Sequence, residues 1–335
     1  MSGRETESNV KGKHRIILET ARVKYDFTIR RNITVILGDS ATGKTTLINY
    51  LNLYAQNGVG SGVKLQSDVP CFVFSGAQMY WRPVLESVKG SIIFIDEEYT
   101  FVFSTDFADL VRNSDNYFVL ITREPLYNLP YSTKEVFGIR TSGKYQFPEK
   151  VYHEFYPVYS EAVPETAAGK KVLIIEDTGS GFEFFSKTLE TTKCIAAGGN
   201  GKIVSCLEQT EPDSDVTVIA DGAAYGPYME NLLSICRARG KVGIYLPESF
   251  EWMILKSGVL RNEGISTVLE TPEEYIDTLS YFSWEQFFTT LLIKITAENR
   301  WTQYSKSHIP KVFLTERNQK LILASIPEEI RRMME

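Results

Sequence analysis

One short stretch constrains this chain of 335 residues more than any other: a glycine-bounded loop between an apolar run and a helix-like run. Residues 33–37 predict a buried strand, and residues 44–55 predict a helix. The loop has the pattern G-x-x-x-x-G-K-T, which in this context turns backbone N–H groups toward phosphate oxygens. We therefore predict a nucleotide-binding site formed by Gly38, Asp39, Ser40, Ala41, Thr42, Gly43, Lys44, Thr45 and Thr46.

Individual residues of this loop have distinct expected tasks. Gly38 and Gly43 permit backbone conformations and a close phosphate approach that a Cβ atom would obstruct. Lys44, a predicted catalytic group, would reach the β- and γ-phosphates, and the Thr45 hydroxyl would ligate Mg²⁺. The alternative is a Gly/Ser/Thr-rich connection without a ligand. The flanking strand and helix patterns favour the phosphate loop, with a nucleoside triphosphate and Mg²⁺ as cofactors.

A second apolar strand, residues 91–95, ends in the acids Asp96, Glu97 and Glu98. An aspartate at such a strand end can hold the Mg²⁺ shell, and the adjacent glutamate can polarise the attacking water. We therefore predict Asp96 as a metal-site residue and Glu97 as a catalytic residue, with Glu98 as the alternative to Glu97. The competing explanation is a pair of acids that merely leaves a buried strand.

Polar residues also end the neighbouring apolar strand, residues 117–121. Thr122 and Arg123 follow it, where a polar side chain can sense the γ-phosphate. Arg123 would alternatively complete the site of a partner subunit, and an ordinary strand-end turn is the remaining explanation.

The unit resembles a minimal P-loop ATPase of the class with an added strand between the two motifs. About fifty residues separate Lys44 from Asp96, and the absence of an L-S-G-G-Q stretch argues against a full ABC-type ATPase head. The guanine-specific pattern N-K-x-D is also missing, which favours ATP over GTP. Apolar strands separated by helices or long connections predict a parallel sheet that is covered on both faces.

The sequence predicts an α/β protein with five segments. These are a disordered N-terminus (1–12), a P-loop ATPase domain (13–146), a Tyr- and Pro-rich linker (147–169), a smaller α/β domain (170–260) and a helical tail (261–335), with tail helices expected at 272–282, 284–295 and 327–334.

Acidic residues also follow the predicted strands of the second α/β segment. Glu176 and Asp221 each end an apolar run, and Glu251 follows a later strand by way of Leu246 and Pro247. Parallel strands project their carboxyl-terminal side chains into one crevice, where carboxylates can hold Mg²⁺. We therefore predict Glu176, Asp221 and Glu251 as metal-site residues.

This order resembles the Toprim fold, the metal-dependent module of topoisomerases, primases and overcoming-lysogenization-defect nucleases. Glu176 matches the family's first-strand glutamate, residues 198–201 match its G-G-x-x turn, and Glu251 matches the nuclease branch. Two positions depart from the pattern: Ala223 replaces the second aspartate of D-x-D, and Asp177 stands where glycine is usual. The lost carboxylate would remove a Mg²⁺ contact, for which Asp177 or Glu251 would compensate.

An ATPase followed by a Toprim-like domain resembles the plan of the overcoming-lysogenization-defect family. That resemblance implies an ATP-regulated enzyme that acts on nucleic acid, in defence against phage or on a mobile element. One alternative, favoured by Ala223, is a regulatory or scaffolding ATPase whose second domain binds a partner and cleaves nothing. Another is a small-molecule kinase, because a phosphate loop does not specify the acceptor.

Composition adds few constraints on partners. The net charge of −6 gives no global nucleic-acid signal, although residues 1–31 and 294–335 are locally basic. The four cysteines are too scattered for a C-x-x-C metal site, and no apolar run reaches membrane-spanning length. We expect a cytoplasmic location without membrane contact, a homo-oligomer, and a possible protein partner on the second domain or tail.

Overall fold

The computed structural model describes residues 10–38, 43–146, 150–159 and 169–335, except for the side chains at 145, 146 and 263. The described residues form two compact units. Unit 1 runs to Val158 and also includes Thr271–Phe282, whereas unit 2 consists of Tyr159–Glu270 and Ser283–Glu335. The α/β class predicted from the sequence is confirmed.

The strands of unit 1 form one mixed sheet. They are β1 (His14–Glu19), β2 (Val23–Ile29), β3 (Ile33–Ile36), β4 (Lys64–Gln66), β5 (Cys71–Val73), β6 (Ile92–Ile95), β7 (Tyr117–Ile121), β8 (Val136–Gln146) and β9 (Lys150–Pro157). Within the described part of the unit, the strand order is β4-β1-β2-β9-β8-β3-β7-β6-β5. The α-helices are α1 (Lys44–Asn57), α2 (Trp81–Ser87) and α3 (Thr105–Arg112).

One part of this sheet is parallel and the rest is mixed. Strands β8, β3, β7, β6 and β5 pair in parallel, and every residue of β3, β6 and β7 is buried. The predicted parallel sheet is therefore confirmed for these strands only, because the antiparallel pairs β1–β2, β1–β4 and β8–β9 make the whole sheet mixed.

The predicted linker 147–169 contains a strand of this sheet. Strand β9 lies between β2 and β8, and Phe155 stacks on Phe27 with ring centroids 4.0 Å apart. Val151, His153 and Phe155 share one face of this strand, because side chains alternate between the two faces of a sheet. Its tyrosines and prolines favoured the linker interpretation instead. The rest of the segment lies largely outside the described residues.

Two further expectations concern the N-terminus and the tail. Residues 1–9 of the predicted disordered N-terminus lie outside the described residues, whereas Val10 is buried and the Gly12 amide donates to the Glu273 carbonyl at 3.0 Å. The predicted helix over 272–282 is wrong: only the 3₁₀ turn Pro272–Glu274 forms there. This stretch belongs to unit 1, with Ile276 and Phe282 buried.

Unit 2 is built on a parallel sheet. Its strands are β10 (Lys171–Ile175), β11 (Lys193–Ala196), β12 (Asp215–Ile219) and β13 (Val242–Tyr245), in the order β11-β10-β12-β13. Its helices are α4 (Ser180–Thr188), α5 (Ile203–Glu208), α6 (Met229–Arg239), α7 (Phe250–Lys256), α8 (Glu263–Glu270), α9 (Trp284–Thr296), α10 (Glu316–Leu323) and α11 (Glu328–Met334).

The topology of unit 2 creates a crevice at a defined place. From β10 the chain passes to β11 on one side and then to β12 on the other, so the connections diverge between β10 and β12. Ligands of open α/β sheets bind outside the carboxyl ends of strands at such a switch point. Glu176 directly follows β10, and Asp221 lies two residues beyond β12.

In the part of the chain that the structure describes, no helix is both long enough and apolar enough to cross a membrane.

Candidate functional site

The first candidate site lies at the junction of β3 and α1. Asp39, Ser40, Ala41 and Thr42 lie outside the described residues, so their predicted roles stay predictions. Lys44 begins α1, is 5% exposed, and donates from Nζ to the Gly38 carbonyl. Thr45 is exposed and Thr46 is half-buried, which leaves the Thr45 hydroxyl accessible from solvent.

Gly43 is a position that only glycine fits. Its φ of 100° lies in the left-handed region, and an added Cβ would lie 2.9 Å from His153 Cε1 and 3.0 Å from the Tyr25 hydroxyl. The Tyr25 hydroxyl donates to the Gly43 carbonyl at 2.8 Å, and the Tyr25 ring stacks on His153. Side chains of strands β2 and β9 therefore hold Gly43 in place at the start of α1.

Sequence reasoning did not identify Tyr25 or His153 as loop supports. Burial raises the pKa of Tyr25 and lowers the pKa of His153, so both side chains are neutral near pH 7. His153 lay in the predicted linker, where nothing in the local pattern connected it to Gly43.

The acidic strand end faces the same edge of the sheet. Asp96 follows β6 and accepts a hydrogen bond from the Glu97 amide at 2.8 Å. Burial raises the pKa of Asp96, and the charges of Glu97 and Glu98 add to that effect while Lys44 opposes it. Lys44 also favours the ionised form of Glu97. The two motifs are therefore close enough in space for their charges to interact.

Arg123 and Glu97 form a bidentate salt bridge. Arg123 Nε donates to Glu97 Oε2 at 2.8 Å, and Arg123 Nη2 donates to Glu97 Oε1 at 2.6 Å. This pair holds the pKa of Glu97 below its ordinary value, against the opposing effect of burial. The Thr122 hydroxyl, which is 3% exposed, accepts from the Glu124 amide at 3.1 Å. Thus Arg123 contacts the predicted catalytic acid, whereas Thr122 stabilises its own turn.

The second candidate site is the crevice of unit 2, a pocket of about 700 Å³. Glu176, Asp177, Glu285 and Lys306 are among its lining residues. The pKa of Glu176 is raised to about 7, first by burial and then by the charges of Glu285 and Asp177. Burial and the same carboxylate cluster raise the pKa of Asp221 well above its ordinary value.

Glu251 lies deeper than the other acids of this site. It is 2% exposed and is held by the Tyr304 hydroxyl, which donates to Oε1 at 2.9 Å. Its second oxygen, Oε2, is buried and lacks a hydrogen-bond partner among the described residues. An unpaired buried carboxylate oxygen is costly, and a bound cation is one of the few groups that would satisfy it.

Lys306 places a positive charge among these acids. Its ammonium donates to Glu285 Oε1, and burial opposes its charged form. The carboxylates of Glu285, Glu251 and Asp221 outweigh that burial and raise the pKa of Lys306. Lys306 and Glu285 come from the predicted tail, and sequence reasoning missed both because only the folded chain brings them to β10 and β12.

Asp177 and Ala223, the two positions that differ from the expected pattern, lie in different surroundings. Asp177 accepts from the amides of Gly181 at 2.9 Å and Phe182 at 3.4 Å, so its carboxylate anchors the start of α4 while the residue also lines the pocket. Ala223 is 2% exposed, and a Cβ on the preceding Gly222 would lie 2.5 Å from the Leu246 carbonyl. This segment is packed too tightly for a larger side chain at Gly222.

The predicted metal residues Glu176, Asp221 and Glu251 interact through their charges. However, within the described ranges no three His, Cys, Asp or Glu side chains are arranged closely enough to hold one ion. The three predicted metal residues therefore lie near enough for their charges to interact, but the described residues do not form a ready coordination group.

Comparison with known proteins gives no family for this chain: no protein-family model matches it, and no curated protein matches it either.

Proposed function

We propose that unit 1 binds and hydrolyses ATP and that this activity controls a Toprim-like, Mg²⁺-dependent site for nucleic acid in unit 2. The observation that supports the ATPase most strongly is the meeting of two motifs that lie far apart in sequence. Lys44 interacts electrostatically with both Asp96 and Glu97 at one edge of the sheet. Phosphoryl transfer needs this combination of a lysine, a metal-holding acid and a water-positioning group.

The strand order supports the same proposal. Strand β7 lies between β3 and β6, which agrees with the P-loop class that has an added strand between its two motifs. All of these strands are parallel, so Lys44, Asp96 and Arg123 lie at the edge formed by their carboxyl ends.

In this proposal, each residue of the site has a distinct role. Lys44 would hold the β- and γ-phosphates, and Thr45 together with Asp96 would hold Mg²⁺, which neutralises charge on the phosphates when it is bound. Glu97 would orient the attacking water, and its ion pair with Arg123 favours its ionised form. ATP is preferred to GTP because the chain has no N-K-x-D pattern.

ATP turnover in Glu97→Gln tests this assignment, with Glu98→Gln as the matched control. Glu98 is exposed, so its substitution tests the adjacent acid without disturbing a buried contact. We expect Glu97→Gln to retain nucleotide and to lose turnover by roughly 10²- to 10⁴-fold, while Glu98→Gln keeps the parent rate. Full turnover in Glu97→Gln, or an equal loss in Glu98→Gln, would contradict the role of Glu97.

For unit 2, the buried unpaired oxygen of Glu251 supports a cation site. Glu176 and Asp221 would supply further oxygen ligands from adjacent strand ends. A divalent ion bound there would activate water or stabilise a leaving oxygen of a phosphodiester. The raised pKa of Glu176, about 7, means that ion binding would release a proton near neutral pH.

A second candidate function is a regulatory ATPase whose unit 2 binds a partner and cleaves nothing. Two observations favour it: Lys306 already supplies a positive charge among the acids, and Ala223 supplies no carboxylate. Cleavage assays with Mg²⁺ or Mn²⁺ separate the two functions. We expect cleavage by the parent and by Glu190→Ala, an exposed control, and none by Glu176→Ala. No cleavage by the parent in either metal would leave the regulatory function.

The sequence also motivates proposals about the assembly, biological role and location of the protein. P-loop ATPases commonly complete their sites across a subunit interface, so we propose a homo-oligomer. The resemblance to the overcoming-lysogenization-defect family supports a role in phage defence or on a mobile element. A protein partner on unit 2 and a cytoplasmic location stay predictions from the sequence.

A further inference from the structure

A second cleft of unit 2, of about 490 Å³, has no role in the functions described above. It is lined by the loop of residues 258–262, by the end of α9 with the turn that follows it, and by α10. Its apolar contacts come from residues such as Ile295 and Leu321, whereas its polar groups come from arginine, asparagine and threonine side chains.

The charges of this cleft are of one sign. Arg261 and Arg317 both line it and are exposed, and neither guanidinium has an ion-pair partner among the described residues. The described residues that line the cleft include no aspartate or glutamate. Two unpaired guanidinium groups beside one cleft are suited to phosphate, which arginine can bind through two parallel hydrogen bonds.

Two asparagines that line the cleft use their side-chain oxygens locally, whereas a third, Asn318, donates its NH₂ group to the Val312 carbonyl at 2.8 Å. Asn262 Oδ1 accepts from the Gly264 amide at 3.0 Å, and Asn299 Oδ1 accepts from the Trp301 amide at 3.0 Å. A backbone N–H can only donate, so these contacts engage the side-chain oxygens of Asn262 and Asn299 and leave their NH₂ groups available to donate. The cleft therefore offers an anion several hydrogen-bond donors in addition to its two positive charges.

The turn that contributes Asn299 and Thr302 to the cleft also carries an exposed aromatic residue. Trp301 lies between Asn299 and Thr302, which both line the cleft, and its side chain is 82% exposed. Such an exposed indole contributes little to the core, but it offers a face on which an unpaired base can stack. A protein partner would require acceptors or an apolar surface to match, whereas donors, positive charge and a stacking ring together match a nucleic acid strand.

We infer that this cleft binds single-stranded nucleic acid, with Arg261 and Arg317 on backbone phosphates and Trp301 stacked on a base. The inference deepens the proposed function, because it gives the nucleic acid a binding surface on the same unit as the acid cluster. Its test is independent of the proposed nuclease and ATPase activities, because strand binding needs neither cleavage nor ATP.

Fluorescence anisotropy with a labelled oligothymidylate of about 15 nucleotides tests the inference on the full chain in EDTA, which prevents cleavage. We expect Arg261→Ala/Arg317→Ala to weaken binding on the order of tenfold or more. The slope of log affinity against log salt should become shallower by about 0.7 for each phosphate that the variant no longer neutralises. Lys193→Ala/Arg237→Ala removes the same charge from exposed positions of unit 2 and is the matched control.

Intrinsic fluorescence provides a second measurement. We expect the oligothymidylate to quench the emission of the parent and to leave Trp301→Phe unquenched. Equal loss of affinity in the two double variants, quenching that persists in Trp301→Phe, or tighter binding of a duplex of the same length would overturn the inference. Strand binding without metal-dependent cleavage would support the cleft while counting against the nuclease function.

Discussion

The substitution Glu176→Gln should make the protein more stable at alkaline pH. Burial and neighbouring carboxylates raise the folded-state pKa of Glu176 from 4.5 to about 7, so ionising this group costs folding free energy. That cost is absent below the unfolded-state pKa, grows as pH rises from the unfolded-state to the folded-state pKa, and is constant above it. At 1.36 kcal/mol per pKa unit, the parent loses on the order of 3 kcal/mol by pH 8.

Glutamine has nearly the shape of the protonated acid and cannot ionise, so Glu176→Gln should regain that free energy. Urea denaturation in EDTA, followed by the fluorescence of the unit 2 tryptophans, would measure the gain. We expect about 3 kcal/mol at pH 8, shrinking toward zero as pH falls to about 4.5. The exposed Glu190→Gln is the matched control and should change little at either pH.

A gain that is absent at pH 8, or equal at both pH values, would refute the reasoning. The first result would mean that Lys306 fully compensates the ionised acid. The second would mean that the substitution acts through packing rather than through charge. Either outcome would contradict the inference that ionising Glu176 in this crevice costs folding free energy.

The other predictions concern unit 1. Gly43→Ala should lower the unfolding free energy by roughly 1–3 kcal/mol and abolish nucleotide binding, because its Cβ would meet His153 at 2.9 Å in a left-handed backbone. Gly60→Ala, where a Cβ meets open space, should leave binding intact in the same melting and titration experiments. Arg123→Met should move the acidic limb of the ATPase pH profile upward, because Arg123 lowers the pKa of Glu97; a limb that stays in place would contradict that role.

The parallel half of the large sheet could be predicted because β3, β6 and β7 are buried along their whole length. Such strands appear in the sequence as uninterrupted apolar runs. Strand β9 could not be predicted in the same way. It is half-buried and rich in aromatic residues, and its pairing with β2 joins residues that are more than a hundred positions apart.

The candidate sites show the same division between local and tertiary information. Lys44 and Asp96 are recognisable from local motifs, whereas Lys306 and Glu285 reach the crevice only through the packing of the tail on unit 2. Asp177 shows a different limit, because an aspartate is suited both to anchoring a helix start and to binding a metal. Only its hydrogen bonds to the amides of α4 distinguish these two uses.

Nucleotide titration by calorimetry tests the central claim most directly. With ATP and Mg²⁺ as the titrant, we expect saturable binding by the parent and by Lys89→Ala, an exposed lysine of the same unit. Lys44→Ala should lose that binding, because it removes the ammonium next to the Gly38 carbonyl and the Asp96 acid. No heat of binding in the parent, or equal affinity in Lys44→Ala, would contradict the claim that this loop holds a triphosphate.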